Sequence, residues 1–429
     1  MTTAPARIAT LDPVRDPTRG PTRRPLDRVR ALDPEVAADR KVRRRVQLAW
    51  SLLALNTLTF YPKTWSGQAL ILPIPSSVGK LVTQGALPLA LLAALSINRR
   101  LAIRPNVVLC LIGLLAAEAL MNCLQAEHFG SVYRAFRLLM FLATLWLLTP
   151  WWGRRDLLLI RCHLRVAYAV LGLMLAGLAI APGRALAQGR LAGVIWPTPP
   201  TQVAEFAAVT TGMLLVLWLG GYLAGRFALP VAALSVVILL LTHTRTALAA
   251  LIGGVLVAGL SMFAGRARVR KLFTITSIVG TIGAVTLSGF LTTWLTRGEN
   301  SQELSNLTGR KTVWAGVENI PRTRFQDLFG FGLSNKSYQG LPVDSNWLAS
   351  YLDQGLFGVV VSASILVFLL LTAFFQPPGM RRALGMFLTT YCLAASFTET
   401  GFSDASTYML YIVLAASLLV ATRADSGSA

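Results

Sequence analysis

Long stretches with almost no charge constrain this chain more than any other feature. Runs such as VVLCLIGLLAAEAL, LPVAALSVVILLL and VVVSASILVFLLLTAFF are apolar on every face. Crossing a hydrocarbon layer of about 30 Å takes roughly 20 residues at 1.5 Å per residue. No water is available there to the backbone, so each crossing must be a helix that satisfies its own N–H and C=O groups. A barrel strand would alternate polar and apolar residues, and these runs do not. The 429 residues are 54% hydrophobic and only 14% charged, whereas a soluble domain carries about a quarter charged residues. The expectation is an all-α, polytopic membrane protein.

The pattern predicts about twelve spans, near 46–61, 80–97, 105–124, 134–150, 164–181, 201–219, 228–242, 246–264, 273–295, 346–375, 382–397 and 405–422. Residues 69–75, ALILPIP, are too short to cross and end in prolines, which reads as a re-entrant or interfacial piece. With the N-terminus inside, the loops at 98–104, 151–165, 265–271 and 377–382 face the cytoplasm, and all are rich in Arg or Lys. The loops near 122–133 and 398–404 are poor in them, as the positive-inside rule requires. Both termini are then cytoplasmic. The net charge of +21 is mostly this topological signal. It is spread over short loops and forms no nucleic-acid footprint.

Residues 1–45 are rich in Pro, Arg and Asp and have no apolar periodicity. They read as a disordered basic cytoplasmic tail, ahead of a membrane domain over 46–425. The tail lacks the apolar core of a signal peptide. KVRRR at 41–45 suits an anchor beside the first span or a lipid-headgroup or partner site. Cys110, Cys123, Cys162 and Cys392 show no CxxC spacing, and His128, His163 and His243 are scattered. No metal site, disulfide framework or nucleotide-binding loop is indicated, so no cofactor is expected.

Two outer features break the pattern. The segment 296–345, between the ninth and tenth spans, is long and holds Trp314, Phe325, Phe329, Phe331 and Tyr338. A disordered linker would lack these aromatics, so a small packed lid is expected. Arginine also sits on the wrong side: Arg184, Arg190, Arg245, Arg297, Arg310, Arg322 and Arg324 all fall outside, and Arg134 and Arg137 lie at the outer end of the fourth span. An anionic ligand at the outer face accounts for the set, because guanidinium groups bind phosphate oxygens in a bidentate fork. Interfacial snorkelling, or pairing with Glu299, Glu303 or Glu318, is the structural alternative for any one of them.

Four pieces resemble, in order, the bacterial O-antigen ligase and polysaccharide polymerase superfamily. GRLAGVIWPTPPTQVAEF (189–206) is similar to its outer Arg-x-x-Gly segment, and LLTHTRTALAAL (240–251) to its Ser-Arg-x-Ala turn, with Thr244 in the serine place. TGRKTVWAGV (308–317) with LFGFGLSN (328–335) resembles its Gly-Arg-x-x-x-Trp and Phe-Gly-x-Gly elements. DSNWLASYLDQGLFG (344–358) resembles its His-Asn-x-x-Leu…Gly-x-x-Gly entry to a span, but with Asp344 where ligases commonly have His, and Ser345 before Asn346. That departure, and SFTETGFSDASTYML near the C-terminus, point to a polymerase more than a ligase.

The resemblance implies a metal-independent glycosyltransferase of the bacterial cytoplasmic membrane. It would join a glycan held on a polyprenyl diphosphate to a hydroxyl of an acceptor glycan, with other polysaccharide-assembly proteins as further partners. Arg190, Arg245 and Arg310 would hold the diphosphate as charge develops on it. Asp344 would accept the proton, or serve as helix N-cap, or both. Arg134, Arg137, Glu205, Trp314, Asn346 and Asp353 are the expected substrate contacts, although Glu205 and Asp353 equally suit hydrogen bonds between helices. Glu118, within the third span, is a functional candidate by its depth alone. Gly355 and Gly358 suit close helix packing. A secondary transporter is the rival class, but it usually has related halves and midplane charges, and neither is evident.

Overall fold

The computed structural model describes residues 34–60, 69–125, 129–154, 156–263, 267–271, 310–333, 337–339 and 341–420, with isolated residues 63, 67, 265, 274, 275 and 286. Contacts divide the chain between Val42 and Arg43. The described part of the first unit is the opening of α1 (Pro34–Thr57). Proline suits the first turn of a helix, and Ala, Glu, Arg and Lys extend it. Residues 34–45 of the expected tail are therefore helical, and residues 1–33 lie outside the described residues.

The second unit is built of α2 (Ser76–Ile97), α3 (Val107–Gln125), α4 (Phe129–Leu148), α5 (Leu158–Ile180), the single turn α6 (Pro182–Ala185), α7 (Pro200–Leu219), α8 (Gly225–Leu241) and α9 (Arg245–Phe263). After these come α10 (Arg310–Glu318), α11 (Arg324–Phe329), a two-stranded hairpin of β1 (Ser337–Tyr338) and β2 (Leu341–Pro342), α12 (Asn346–Phe375), α13 (Met380–Ala395) and α14 (Thr407–Leu419). Six stretches are long and apolar enough to cross a membrane: 76–97, 130–151, 158–180, 200–219, 245–263 and 346–375. Shorter apolar helices run over 107–122, 225–241 and 407–419. A helix stands at every predicted span but the ninth, 273–295, which lies outside the described residues apart from 274, 275 and 286.

The helices divide into central and peripheral ones. Nearly every residue of α7 and every residue of α14 is buried, as expected of helices that are apolar all round and enclosed by others. At about 1.5 Å per residue, α14 is only some 20 Å long, which an enclosed helix tolerates. Phe387 of α13 fills a socket made by Gly212 of α7 and Gly254 of α9, where a methyl group on either glycine would overlap the ring. Small residues allow this close approach. In contrast, Leu81, Leu89 and Leu92 of α2, Leu256 and Leu260 of α9, and Leu371, Phe374 and Phe375 of α12 are exposed. This is a surface that needs an apolar surrounding.

One end of the helical body is basic. There Arg45 donates to Ser96 O at 3.4 Å, Arg268 to Trp218 O at 3.1 Å, Arg104 to Trp152 O at 3.5 Å and Arg382 to Gln376 O at 3.4 Å. Arg381 donates to Gly153 O, and Asp156 pairs with Arg43 at 2.7 Å and Arg154 at 3.3 Å. Several of these carbonyls close the C-termini of α2, α7 and α12, where cations complement the helix dipole.

The opposite end is held by neutral polar side chains. Gln202 Nε2 donates to Thr57 O (2.9 Å) and Thr407 Oγ1 (3.2 Å), while its Oε1 accepts from Thr59 N (3.0 Å) and Oγ1 (2.9 Å). Asn56 Nδ2 donates to Thr83 O at 2.8 Å. Asn346 Oδ1 accepts from the backbone of Gly401 (3.2 Å) and Phe402 (2.9 Å), and its N–H donates to Ser396 O at 2.9 Å.

The described part of 296–345 packs on the first half of α12. Val313, Val317, Val343, Ala349 and Leu352 share a core, with Ile320, Phe331, Tyr338 and Leu348 at its edge. The helix itself is interrupted at Gly355 (φ 61°, ψ −158°). The segment Phe329–Leu333 fits this interruption: Phe331 N donates to Leu352 O at 3.0 Å and Gly332 N to Asp353 O at 2.8 Å. A Cβ on Gly330 or Gly355 would collide with backbone across the contact. Gly355 thus serves a loop–helix contact and a left-handed backbone rather than the helix–helix packing expected of it. Asn122 of α3 completes the joint by donating to both Glu118 and Phe329 O.

Candidate functional site

The expected diphosphate arginines lie at the polar end. The chain enters this region through Gln188 (φ 60°) and Gly189 (φ 68°), and a tight turn at Gly193, closed by Gly193 N to Thr198 O at 2.9 Å, leads into α7. Leu191 N donates to Leu241 O at 2.8 Å, which sets the segment against the turn between α8 and α9. There Arg190 Nε donates to Thr242 O at 3.0 Å and Nη2 to Thr244 Oγ1 at 3.3 Å. Arg245 follows directly as the first residue of α9. The structure therefore brings Arg190 and Arg245 to one place, beside the N–H groups that open a 19-residue helix. Two partly buried guanidinium groups and a helix N-terminus together favour an anion. Arg310 opens α10, but its side chain lies outside the described residues, as do Arg297, Glu299 and Glu303.

Asp344 is partly buried and precedes α12, but the N-cap position belongs to Ser345, which makes no side-chain cap bond. The expected capping role of Asp344 is corrected accordingly: extended backbone at Ser345 (φ −157°, ψ 125°) delays the helix by one residue. Asn346 is 1% exposed, and its carbonyl oxygen is engaged by the 401–402 backbone, so it ties the start of α12 to the segment following α13. Asp353 is fully buried two turns further along, beside the interruption at Gly355.

Arg137 has a structural role. Its guanidinium donates to Asn56 Oδ1 (3.2 Å), Asn56 O (3.0 Å) and Ala405 O (2.9 Å), and it lies 3.8 Å from Asp404. Those partners tie α4 to α1 and to the segment before α14. Arg134 is partly buried one turn nearer the helix start, where Ser131 Oγ donates to Leu333 O at 2.8 Å. Trp314 is half-buried on α10 beside the core it shares with α12. Arg322 donates to Tyr351 O and Val317 O and stacks over the rings of Tyr351 and Phe331, so this arginine anchors the 310–343 segment to α12.

Glu205 is 7% exposed in the second turn of α7, and its Oε1 has no hydrogen-bond partner among the described residues. It lies within electrostatic reach of Tyr391, Tyr408 and Tyr411, which surround one another at ring-centroid distances of 6.2–6.5 Å. This carboxylate–tyrosine cluster was not legible in the sequence. The nearest signal is the pair Tyr408 and Tyr411, three residues apart and so on one helical face. His163 extends it inward, with its ring 5.3 Å from that of Tyr411 and stacked on Phe206 at 6.3 Å. The described residues hold no group of three or more His, Cys, Asp or Glu side chains placed to bind a metal ion. In comparisons with known proteins, no family model and no curated protein matches the chain.

Proposed function

We propose that this protein is a glycosyltransferase of the bacterial cytoplasmic membrane. It transfers a glycan from a polyprenyl diphosphate to an acceptor glycan at the outer face, as a polysaccharide polymerase. The observation that carries the reading is the meeting of Arg190 with the turn before Arg245 at the start of α9. These two residues come from separate motifs of the sequence, and the anion they suit is the diphosphate leaving group. Preorganised donors aimed at developing charge are worth a few kcal/mol. Asp344, partly buried directly before Ser345 at the start of α12, is the candidate proton acceptor, and the lid on α12 borders its segment. A ligase acting on a lipid or other acceptor would use the same arrangement.

In this reading the polar end faces outward and both termini lie in the cytoplasm. Twelve crossings are proposed. Met380 and Phe387 of α13 lie against Gly220 and Gly212 of α7, so α7 and α13 run antiparallel. Short turns make α8 antiparallel to α7, and α9 to α8. The short 376–379 connection makes α12 antiparallel to α13. Helices α9 and α12 therefore run the same way, which agrees with the crossing proposed between them. With Ser301→Cys and Ser337→Cys in a cysteine-free background, an impermeant thiol reagent should label both in intact spheroplasts. Labelling only after lysis would reverse the orientation.

The chemistry is tested by transfer from a purified polyprenyl-diphosphate glycan at equal folded concentration. Arg190→Lys and Arg245→Lys should impair transfer nearly as much as Ala, because a point charge does not reproduce the fork. Asp344→Asn should fold normally and lose 10²- to 10⁴-fold in rate. Wild-type rates in all three variants would leave these residues with anchoring roles only. The interruption of α12 beside buried Asp353 and Glu118 is the one observation favouring a transporter. Uptake of a labelled solute into proteoliposomes, with no glycan transfer, would establish that reading instead.

A further inference from the structure

We propose that an anionic phospholipid of the bilayer seats in a groove between residues 69–75, with Lys63 and Gly67, and the α5–α6 corner, its headgroup phosphate between Lys63 and Arg184. This inference does not rest on the transferase reading. Two recesses adjoin at Ala69. One, of about 580 Å³, is lined by Ala69, Ala181, Gly183 and Arg184. The other, of about 520 Å³, is lined by Lys63, Gly67, Ala69, Leu70, Pro73, Ile74 and Pro75. Ligand sites run from roughly 300 to 1,000 Å³, so either recess has room for part of a lipid.

The lining divides by chemistry. Leu70, Pro73, Ile74 and Pro75 offer an apolar bed, and exposed Leu72 (57%) and Ile180 (64%) extend the apolar surface beside it. Lys63 and Arg184 are exposed and make no hydrogen bond or ion pair among the described residues. All of this lies at the polar end of the body, where the positive-inside rule leaves few cations. An apolar bed at the end of a spanning helix, flanked by two exposed cations, matches one acyl chain below one phosphate. The lipid would also brace what lies behind it. Ile71 N donates to Val194 O at 3.0 Å, and Ala192 N to Ala185 O at 2.9 Å, so both walls of the groove are tied to the segment that carries Arg190.

The test uses the full-length protein in phosphatidylcholine nanodiscs with a minor fraction of phosphatidylglycerol, read by native mass spectrometry. Wild-type protein should retain phosphatidylglycerol above its bulk fraction. Lys63→Ala and Arg184→Ala should each lower retention about fivefold, and together about 25-fold. Ile74→Trp, which fills the bed, should abolish retention without altering either charge. Arg268→Ala, at the basic end, should leave this retention as it was. Every substituted side chain is at least partly exposed, and an unchanged thermal midpoint in pure phosphatidylcholine confirms folding. Equal retention in the double variant would overturn the proposal. So would displacement of phosphatidylglycerol by a polyprenyl phosphate at equal mole fraction, which would assign the groove to an isoprenoid carrier. Loss of glycan transfer with retention intact bears only on the enzymatic reading.

Discussion

The two ends of the helical body use arginine in opposite ways. At the basic end several guanidinium groups each donate to a backbone carbonyl at a helix C-terminus: Arg45 at α2, Arg268 at α7 and Arg382 beyond α12. The contacts are local and partly exposed, and any cation near a helix C-terminus gains from the dipole. At the polar end Arg137 joins two separate segments, donating to Asn56 on one and Ala405 on the other and lying beside Asp404, and Arg190 bridges two residues of one turn. There the fork geometry matters as much as the charge. One residue type thus reports topology at one end and specific architecture at the other, and composition alone does not separate the two uses.

The contrast can be broken most severely at the joint between lid and α12. Gly355→Ala should cost at least about 3 kcal/mol, because its backbone conformation is nearly exclusive to glycine and a Cβ would strike the 328–330 backbone. Thermal unfolding in detergent measures this, and a midpoint shift of only a degree or two would show that the loop readily withdraws. Next comes Arg137→Ala, expected to cost about 2–3 kcal/mol by leaving Asn56 Oδ1, Asn56 O and Ala405 O without this donor and Asp404 without its nearby cation. Arg137→Lys should recover less than half of that, since an ammonium group cannot span the same partners. Full recovery by Lys would erase the distinction between the ends. The smallest effect belongs to Arg268→Ala, under about 1 kcal/mol, with Arg268→Lys close to wild type. A larger loss would mean that the basic end, too, depends on geometry.

Much of the helical framework was legible because span length and apolarity are set by the bilayer, and that constraint acts on every residue of a run. The start of α1 was misplaced because Arg- and Ala-rich sequence suits both a polar tail and a helix leaving the membrane. The motifs of Arg190 and Arg245 were visible separately; that Thr242 and Thr244 accept from Arg190 depends on how the 190–199 segment folds back. Gln202 and Asn56 gave no signal, because a lone polar residue near a span end reads as interfacial until its partners on other helices are known. Glu205 was an expected substrate contact, while the three tyrosines near it come from two helices almost 200 residues away.

The sequence by itself determined that this chain is helical and apolar enough for a bilayer, and where nearly all its helices lie. Those properties depend on each residue's own transfer free energy and on the nearest turn of helix, so they can be read locally. It also singled out the arginines of the 184–190, 245 and 310–324 segments as candidates. Tertiary structure alone decided which of them are engaged by protein carbonyls and which meet at the start of α9. It also decided that Ser345 and not Asp344 takes the cap position, and that α12 is interrupted to receive the 329–333 loop. Those outcomes depend on distances between segments far apart in sequence, and burial in an apolar surrounding makes each unsatisfied polar group costly enough to select one arrangement.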